Sequence, residues 1–283
     1  MKKLIITADD YGMTSLVDTA IDDCIKAGLV KSTNVIVNQD NFSAAKRLRE
    51  RFPDISIGLH WNITSGKPVS NLNEIASLVN PKTGDFWGLR DFMKRFKTGL
   101  IIKDELSLEL INQYKLFRAF CGEPDYWNVH MNSSLDFKIF PFFNKLAREL
   151  GITKTRTFQR VYVNGCMNMS IKNRWIERIK KVILDFWFGY FVPLTGTKMP
   201  DGRVMYFNSY DKVSDVDNIG RKIVWGKKEI VELVIHPAVG IDHKKFGTLS
   251  DIRLDEWRLF SNKDMVEYYE RCDIELVNFN AVK

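Results

Sequence analysis

The sequence predicts an α/β fold, a modified (β/α) barrel with parallel strands and a helical insertion near residues 158–213. Three observations lead there. Short apolar runs recur between stretches with helical spacing, and several lack the alternation of a one-sided sheet, as strands covered on both faces do. Three of the four histidines in the chain, His60, His130 and His236, directly follow such runs. The resulting βαβαβ order implies right-handed crossovers, so the C-terminal strand ends share one edge. Ligands and catalysis are found at that edge in barrels and open α/β sheets.

The first apolar run, Leu4 to Ile6, leads into Asp9-Asp10. Neighbouring strand side chains face opposite ways, so one carboxylate can hold something while the other reacts; turn and cap roles fit the same pair. Thr14 or Ser15 caps a helix with Leu16, Val17, Ala20, Ile21, Cys24 and Ile25 at helical spacing, closed by Ala27-Gly28. A strand at Thr33 to Val37, a helix from about Asn41 to Phe52 stopped by Pro53, and a strand at Ile55 to Leu59 delivering His60 come next. Thr64 to Thr98 is irregular, and a long loop inside a compact domain is usually functional. A helix from about Ile102 to Phe120, a strand over Asp125 to His130, a helix opened by Pro141 and a strand near Ile152 to Thr155 follow. Asn173 to Phe191 reads as a basic, strongly apolar helix. It suits packing on the parent domain, a second subunit in a homodimer, or a membrane surface. A helix at Val216 to Trp225, a strand at Ile230 to Ile235 ending in His236-Pro237, a helix over Leu254 to Cys272 and a strand at Ile274 to Phe279 complete the pattern.

With 283 residues, 45% of them hydrophobic, the chain can bury the core of one barrel-sized domain spanning 1–283. The N-terminus shows no signal peptide and no run is long enough to span a bilayer, so a cytoplasmic protein is expected. Cys24, Cys121, Cys166 and Cys272 form no CxxC pair, which argues for reduced, mostly buried thiols. The net charge of +7 is spread along the chain, with concentrations near 154–181 and 221–228. No nucleic-acid partner is expected from that distribution.

If the strands are parallel neighbours, Asp10, His60 and His130 converge and offer one oxygen and two nitrogens. Two histidines and a carboxylate suit one catalytic divalent ion, Zn²⁺ or another such as Mg²⁺. Asp9 is then placed to take a proton from water and His236 to protonate a leaving group. Tyr11, Trp61 and Trp87 are candidates to stack on a substrate, and Asn62, Asn132 and Asp242 to bind its polar groups. His243 lies in a charged loop and reads as solvent-exposed.

Several segments resemble the YdjC-like carbohydrate deacetylases, in the branch with chitooligosaccharide deacetylases and hopanoid-pathway homologues. They are Thr7-Ala8-Asp9-Asp10-Tyr11-Gly12, Lys31-Ser32-Thr33-Asn34 through Asn38, Gly58-Leu59-His60-Trp61-Asn62-Ile63-Thr64 with Gly66-Lys67-Pro68-Val69, Glu232-Leu233 through His236-Pro237, and Leu276-Val277-Asn278-Phe279. The resemblance runs from residue 3 to about 279. It implies a modified barrel, Asp-His-His metal binding by Asp10, His60 and His130, Asp9 as base and His236 as acid, and hydrolysis of N-acetyl groups on amino sugars. Two segments depart from the family pattern. Its histidine-rich run after Asp-Ser is here Asn128-Val129-His130-Met131-Asn132-Ser133-Ser134, and its His-Pro-Gly is His236-Pro237-Ala238-Val239-Gly240.

The expected activity is therefore a metal-dependent carbohydrate deacetylase, in which a water activated on the ion attacks the acetamide carbonyl of an N-acetylated sugar or oligosaccharide. Another metal-dependent hydrolysis, such as phosphoester cleavage, and a carbohydrate-binding homologue without turnover are the competing expectations.

Overall fold

A computed structural model describes residues 1–163, 171–204 and 219–283. Among them, eight strands form one sheet, curled into a half-barrel with helices around it. They are β1 (Lys2–Tyr11), β2 (Ser32–Val35), β3 (Ser56–Trp61), β4 (Trp127–Val129), β5 (Arg160–Val161), β6 (Gly202–Val204), β7 (Ile230–Ile235) and β8 (Ile274–Leu276). The order is β4-β3-β2-β1-β7-β6-β5, with β8 paired to β1, and every strand pairing is parallel.

β1 is the axis of the sheet and is buried from Leu4 to Tyr11. β7 runs along it from Lys3 to Ala8, while β8 pairs at Lys2 to Leu4 and β2 at Thr7 to Tyr11. The expected alternation along β1 fails at its end. The pairing with β2 shifts register between Ala8 and Tyr11, and Asp10 takes a left-handed φ of 77°. Asp adopts that conformation more readily than most residues.

The helix after β1, Ser15–Lys26, begins as its sequence predicts: the Thr14 hydroxyl caps it by accepting from Val17 N at 3.3 Å. Helix Lys103–Cys121 lies over β3, and its buried Glu109 accepts from Val69 N at 3.0 Å and Ser70 N at 2.9 Å, which ties down the long irregular loop. That loop also carries helix Leu89–Lys97.

Two expected helices are broken. In place of one helix over 41–52 there are Phe42–Ala45 and Leu48–Arg51, separated by Arg47 with a φ of 67°. Phe42, Ala45 and Leu48 are all buried, and residues three apart drift round an α-helix by about 60° a step, so the break lets all three reach the core. Likewise 254–272 divides into Ser250–Phe260 and Asp264–Arg271, where Asn262 accepts from Asp264 N at 3.1 Å and starts a new turn. The strand expected at 152–155 is reduced to single bridges from Lys154 and Thr155. Of the helix expected at 216–225, Ile219–Lys222 is seen; the rest of its first turn, like Cys166, lies outside the described residues.

One glycine has a steric reason. A Cβ on Gly58 in β3 would collide with Asn34 Oδ1 on β2 and with the Tyr126 ring.

Candidate active site

The C-terminal ends of β1, β3, β4 and β7 open onto one cavity of about 660 Å³. Asp9, Asp10, His60, His130, His236 and Asn132 all line it. Because of the irregularity at the end of β1, both carboxylates face this cavity rather than opposite sides of the sheet.

Asp10 Oδ1 lies 3.0 Å from His130 Nδ1 and 3.5 Å from His60 Nε2, and the two nitrogens are 3.4 Å apart. These three atoms form a candidate metal-binding triad. Asp10 Oδ1 is buried and makes no well-aligned hydrogen bond, as expected of an oxygen kept for an ion. One carboxylate oxygen with two imidazole nitrogens fits a divalent cation. His130 owes its position to a tight turn, with Met131 and Asn132 at φ of 55° and 50°.

Arginines surround the carboxylates. Arg253 Nη2 donates to Asp10 Oδ2 at 2.6 Å. Arg156 donates from Nη1 to Asp9 Oδ2 and from Nη2 to Asp9 Oδ1, both at 2.8 Å, while its Nε donates to Glu232 Oε1 at 3.0 Å. Asn34 Nδ2 also donates to Asp9. Burial alone would raise the Asp9 carboxyl, but the charge and hydrogen bonds of Arg156, with His60 and His236, hold it well below the usual range. Asp10 is lowered in the same way: burial opposes, and His130 and Arg253 outweigh it. Both are anions at neutral pH.

His236 Nε2 is 3.7 Å from Asp9 Oδ2. Its backbone N donates to Glu256 Oε2 at 2.6 Å, which anchors the chain as it leaves β7. Desolvation in the cavity pushes its imidazole down to about 4 against the opposing pull of Asp10 and Asp9. It is neutral at pH 7.

Asn128, on β4, faces a conflict of partners. With its oxygen toward His60 Nδ1, its amide nitrogen meets the donors of Arg156 and Asn34. Turned over, its oxygen accepts from Asn34 Nδ2 at 2.8 Å and Arg156 Nη2 at 3.1 Å, but its nitrogen then points at His60 Nδ1. Only the first orientation accepts a proton from Nδ1 and leaves Nε2 with a free lone pair.

Five of the six expected substrate contacts are not at the cavity. Tyr11 is buried, with its hydroxyl 3.3 Å from Asp22 Oδ1 and accepting from Arg51. Trp61 alternates away from His60 into the core, where its Nε1 donates to Leu110 O at 3.0 Å. Asn62 is consumed by the loop, donating to Asn38 Oδ1 at 3.0 Å and Ser65 O at 2.9 Å. Asp242 caps the short helix His243–Phe246, accepting from Lys244 N and Lys245 N at 3.0 Å. Trp87 donates to Ser77 O at 3.0 Å, away from the cavity. Asn132 does line it, and accepts from Arg203 Nη1 at 2.9 Å. His243 is exposed, as expected.

Sequence reasoning missed Arg156, Arg203, Arg253, Asn128 and Glu232 as site components. Arg156 follows the run 152–155 as His60 follows its own, so the strand-end rule could have found it. Glu232 is an acid inside an apolar strand, which calls for a buried partner.

The chain matches the YdjC-like protein family over residues 3–271. It is 22% identical to a carbohydrate deacetylase of Thermoanaerobacter pseudethanolicus over the whole of both chains. It is 33% identical to a carbohydrate deacetylase of Xenopus laevis over 54% of this chain and 50% of that one, and so spans about half the length of that relative. A chitooligosaccharide deacetylase of Escherichia fergusonii is 29% identical over 56% of this chain and 61% of its own. The crystal structure of a "putative cellobiose-phosphate cleavage protein" from Enterococcus faecalis shares the fold, with a TM-score of 0.76 and 23% identity over 99% of this chain and 98% of the other. The chain belongs to the YdjC-like protein family.

Proposed function

We propose that the chain is a metal-dependent carbohydrate N-deacetylase, acting as one domain with an elaborated segment near 158–213. The convergence of Asp10, His60 and His130 beside Asp9 and His236 carries this reading, together with relatives named carbohydrate deacetylase. Two imidazoles favour Zn²⁺ or a similar borderline ion over Mg²⁺, which prefers all-oxygen sites. When bound, such an ion polarises a carbonyl and acidifies water.

The chain's own residues supply the rest. Asp9, ionised and clamped by Arg156, keeps Oδ2 toward the cavity and can accept a proton from the attacking water. His236 starts neutral, so the proton it gives to the departing amine has to reach it during the reaction; Asp9 Oδ2, 3.7 Å away, is the adjacent carrier. Amides need help at both ends, because the carbonyl is a poor electrophile and the amine a poor leaving group. Arg253 also lines this cavity, its guanidinium 4.6 Å from the centre of the Phe246 ring and its Nη2 holding Asp10 Oδ2. The buried thiols Cys24 and Cys121 suit a reducing, cytoplasmic setting.

Acetate release from N-acetylated chitooligosaccharides, with and without a chelator, tests the proposal. Chelator-sensitive acetate is expected. Metal-dependent release of phosphate from phosphorylated sugars with no acetate would replace the reading with phosphoester hydrolysis, and metal binding without turnover would make the chain a binding protein.

A further inference from the structure

The helix Ile171–Phe186 continues through a π turn, Trp187–Phe191, into Val192–Leu194. The π turn shifts the register. Phe188 then points inward, with its ring 4.9 Å from Phe140 and 5.1 Å from Phe158, and Trp187 packs against Phe137 at 5.2 Å. The opposite face is left outside. Trp175 (62% exposed), Ile179 (58%), Val182 (68%) and Phe186 (61%) form a stripe at helical spacing, which Tyr190 and Leu194 extend.

Such a stripe on a chain read as acting in water needs an occupant. Exposed Arg178 and Lys180 border it, and across residues 171–194 Lys172, Arg174, Arg178, Lys180 and Lys181 outnumber Glu177 and Asp185. Asp185 is already paired with Lys181. A symmetric pairing of two copies would bring this basic border against itself, with little acid to meet it. An anionic bilayer answers both features: it takes apolar and aromatic side chains into its headgroup boundary and attracts the basic border.

The surface also leads to the cavity. Phe137 (43% exposed), against Trp187, follows the turn that carries cavity-lining Met131 (51% exposed), and Leu249 (53% exposed) lines the cavity as well. We propose that the face of residues 175–194 docks on the surface of an anionic membrane, which brings the Met131 edge of the cavity to headgroup level. No described helix is long and apolar enough to cross a membrane, so the docking is peripheral. It does not depend on the deacetylase reading.

Co-sedimentation of the full chain with vesicles tests it, using phosphatidylcholine alone and phosphatidylcholine mixed with phosphatidylglycerol. Binding is expected to the mixed vesicles only and to fall as salt is added. Arg178→Gln and Lys180→Gln should each weaken it by about fivefold. The double variant Ile179→Asp/Phe186→Asp should abolish it while leaving thermal melting unchanged, since both side chains are exposed. No binding by the wild type, binding indifferent to these changes, or a wild-type dimer that the double variant turns into a monomer in sedimentation velocity would each overturn the proposal, the last by seating a second copy on this face.

Discussion

Arg156 grips Asp9 with both terminal nitrogens, each 2.8 Å from a carboxylate oxygen, while its Nε reaches Glu232. All three side chains are nearly or fully buried. Removing one partner of a buried charge network leaves the others uncompensated and costs about 3–5 kcal/mol. Arg156→Met should lower unfolding stability by that amount in denaturant melts. Arg156→Lys, which keeps the charge but loses the fork geometry, should cost less stability while still impairing turnover.

Removing a triad ligand should act on metal content first. Asp10→Ala is expected to lose both bound metal and acetate release, whereas His236→Ala should keep the metal and lose turnover. Elemental analysis of the purified variants, read beside the activity assay, distinguishes the two. Equal loss of metal in both would put His236 in the ligand set.

Asn128 cannot satisfy His60 Nδ1–H and the Arg156 and Asn34 donors at once, but a carboxylate, with two acceptor oxygens, can. Outer-shell partners of ligating histidines change metal affinity by about 10- to 100-fold. Asn128→Asp is therefore expected to tighten metal binding by about tenfold or more in competition titrations. Unchanged or weaker affinity would show that the amide already holds the required tautomer.

The neutral state of His236 predicts a pH effect. Its pKa is about 4 in the fold and about 6.5 in an unfolded chain. The unfolded state thus takes up a proton first, so this group's stabilising contribution is present above pH 6.5 and is lost as pH falls toward 4. Metal-free His236→Gln should gain stability relative to wild type across that window and show a constant difference above it, as melting curves at stepped pH would reveal.

Much of this site was legible because its signals are local. An apolar run followed by a carboxylate or a histidine marks a strand and the residue at its end, and Asp10, His60, His130 and His236 were found in that way. The arginines were harder. Arg253 sits on helix Ser250–Phe260 and reaches Asp10 from 243 residues away, and no periodicity announces that contact. Trp61, expected to stack on a sugar, follows His60 in β3 and so faces the other side. Asp9 and Asp10 were both read as site residues, but that they face one cavity follows from the register shift at the end of β1, which strand alternation does not foresee.

Gly58 never meets the cavity, yet its missing side chain leaves Asn34 the room from which it donates to Asp9. A methyl group there would shove the amide aside and unseat the carboxylate one strand further on. The reach of the reaction centre into the sheet is therefore longer than its lining suggests, and a lesion at this silent position would masquerade as damage to the base itself.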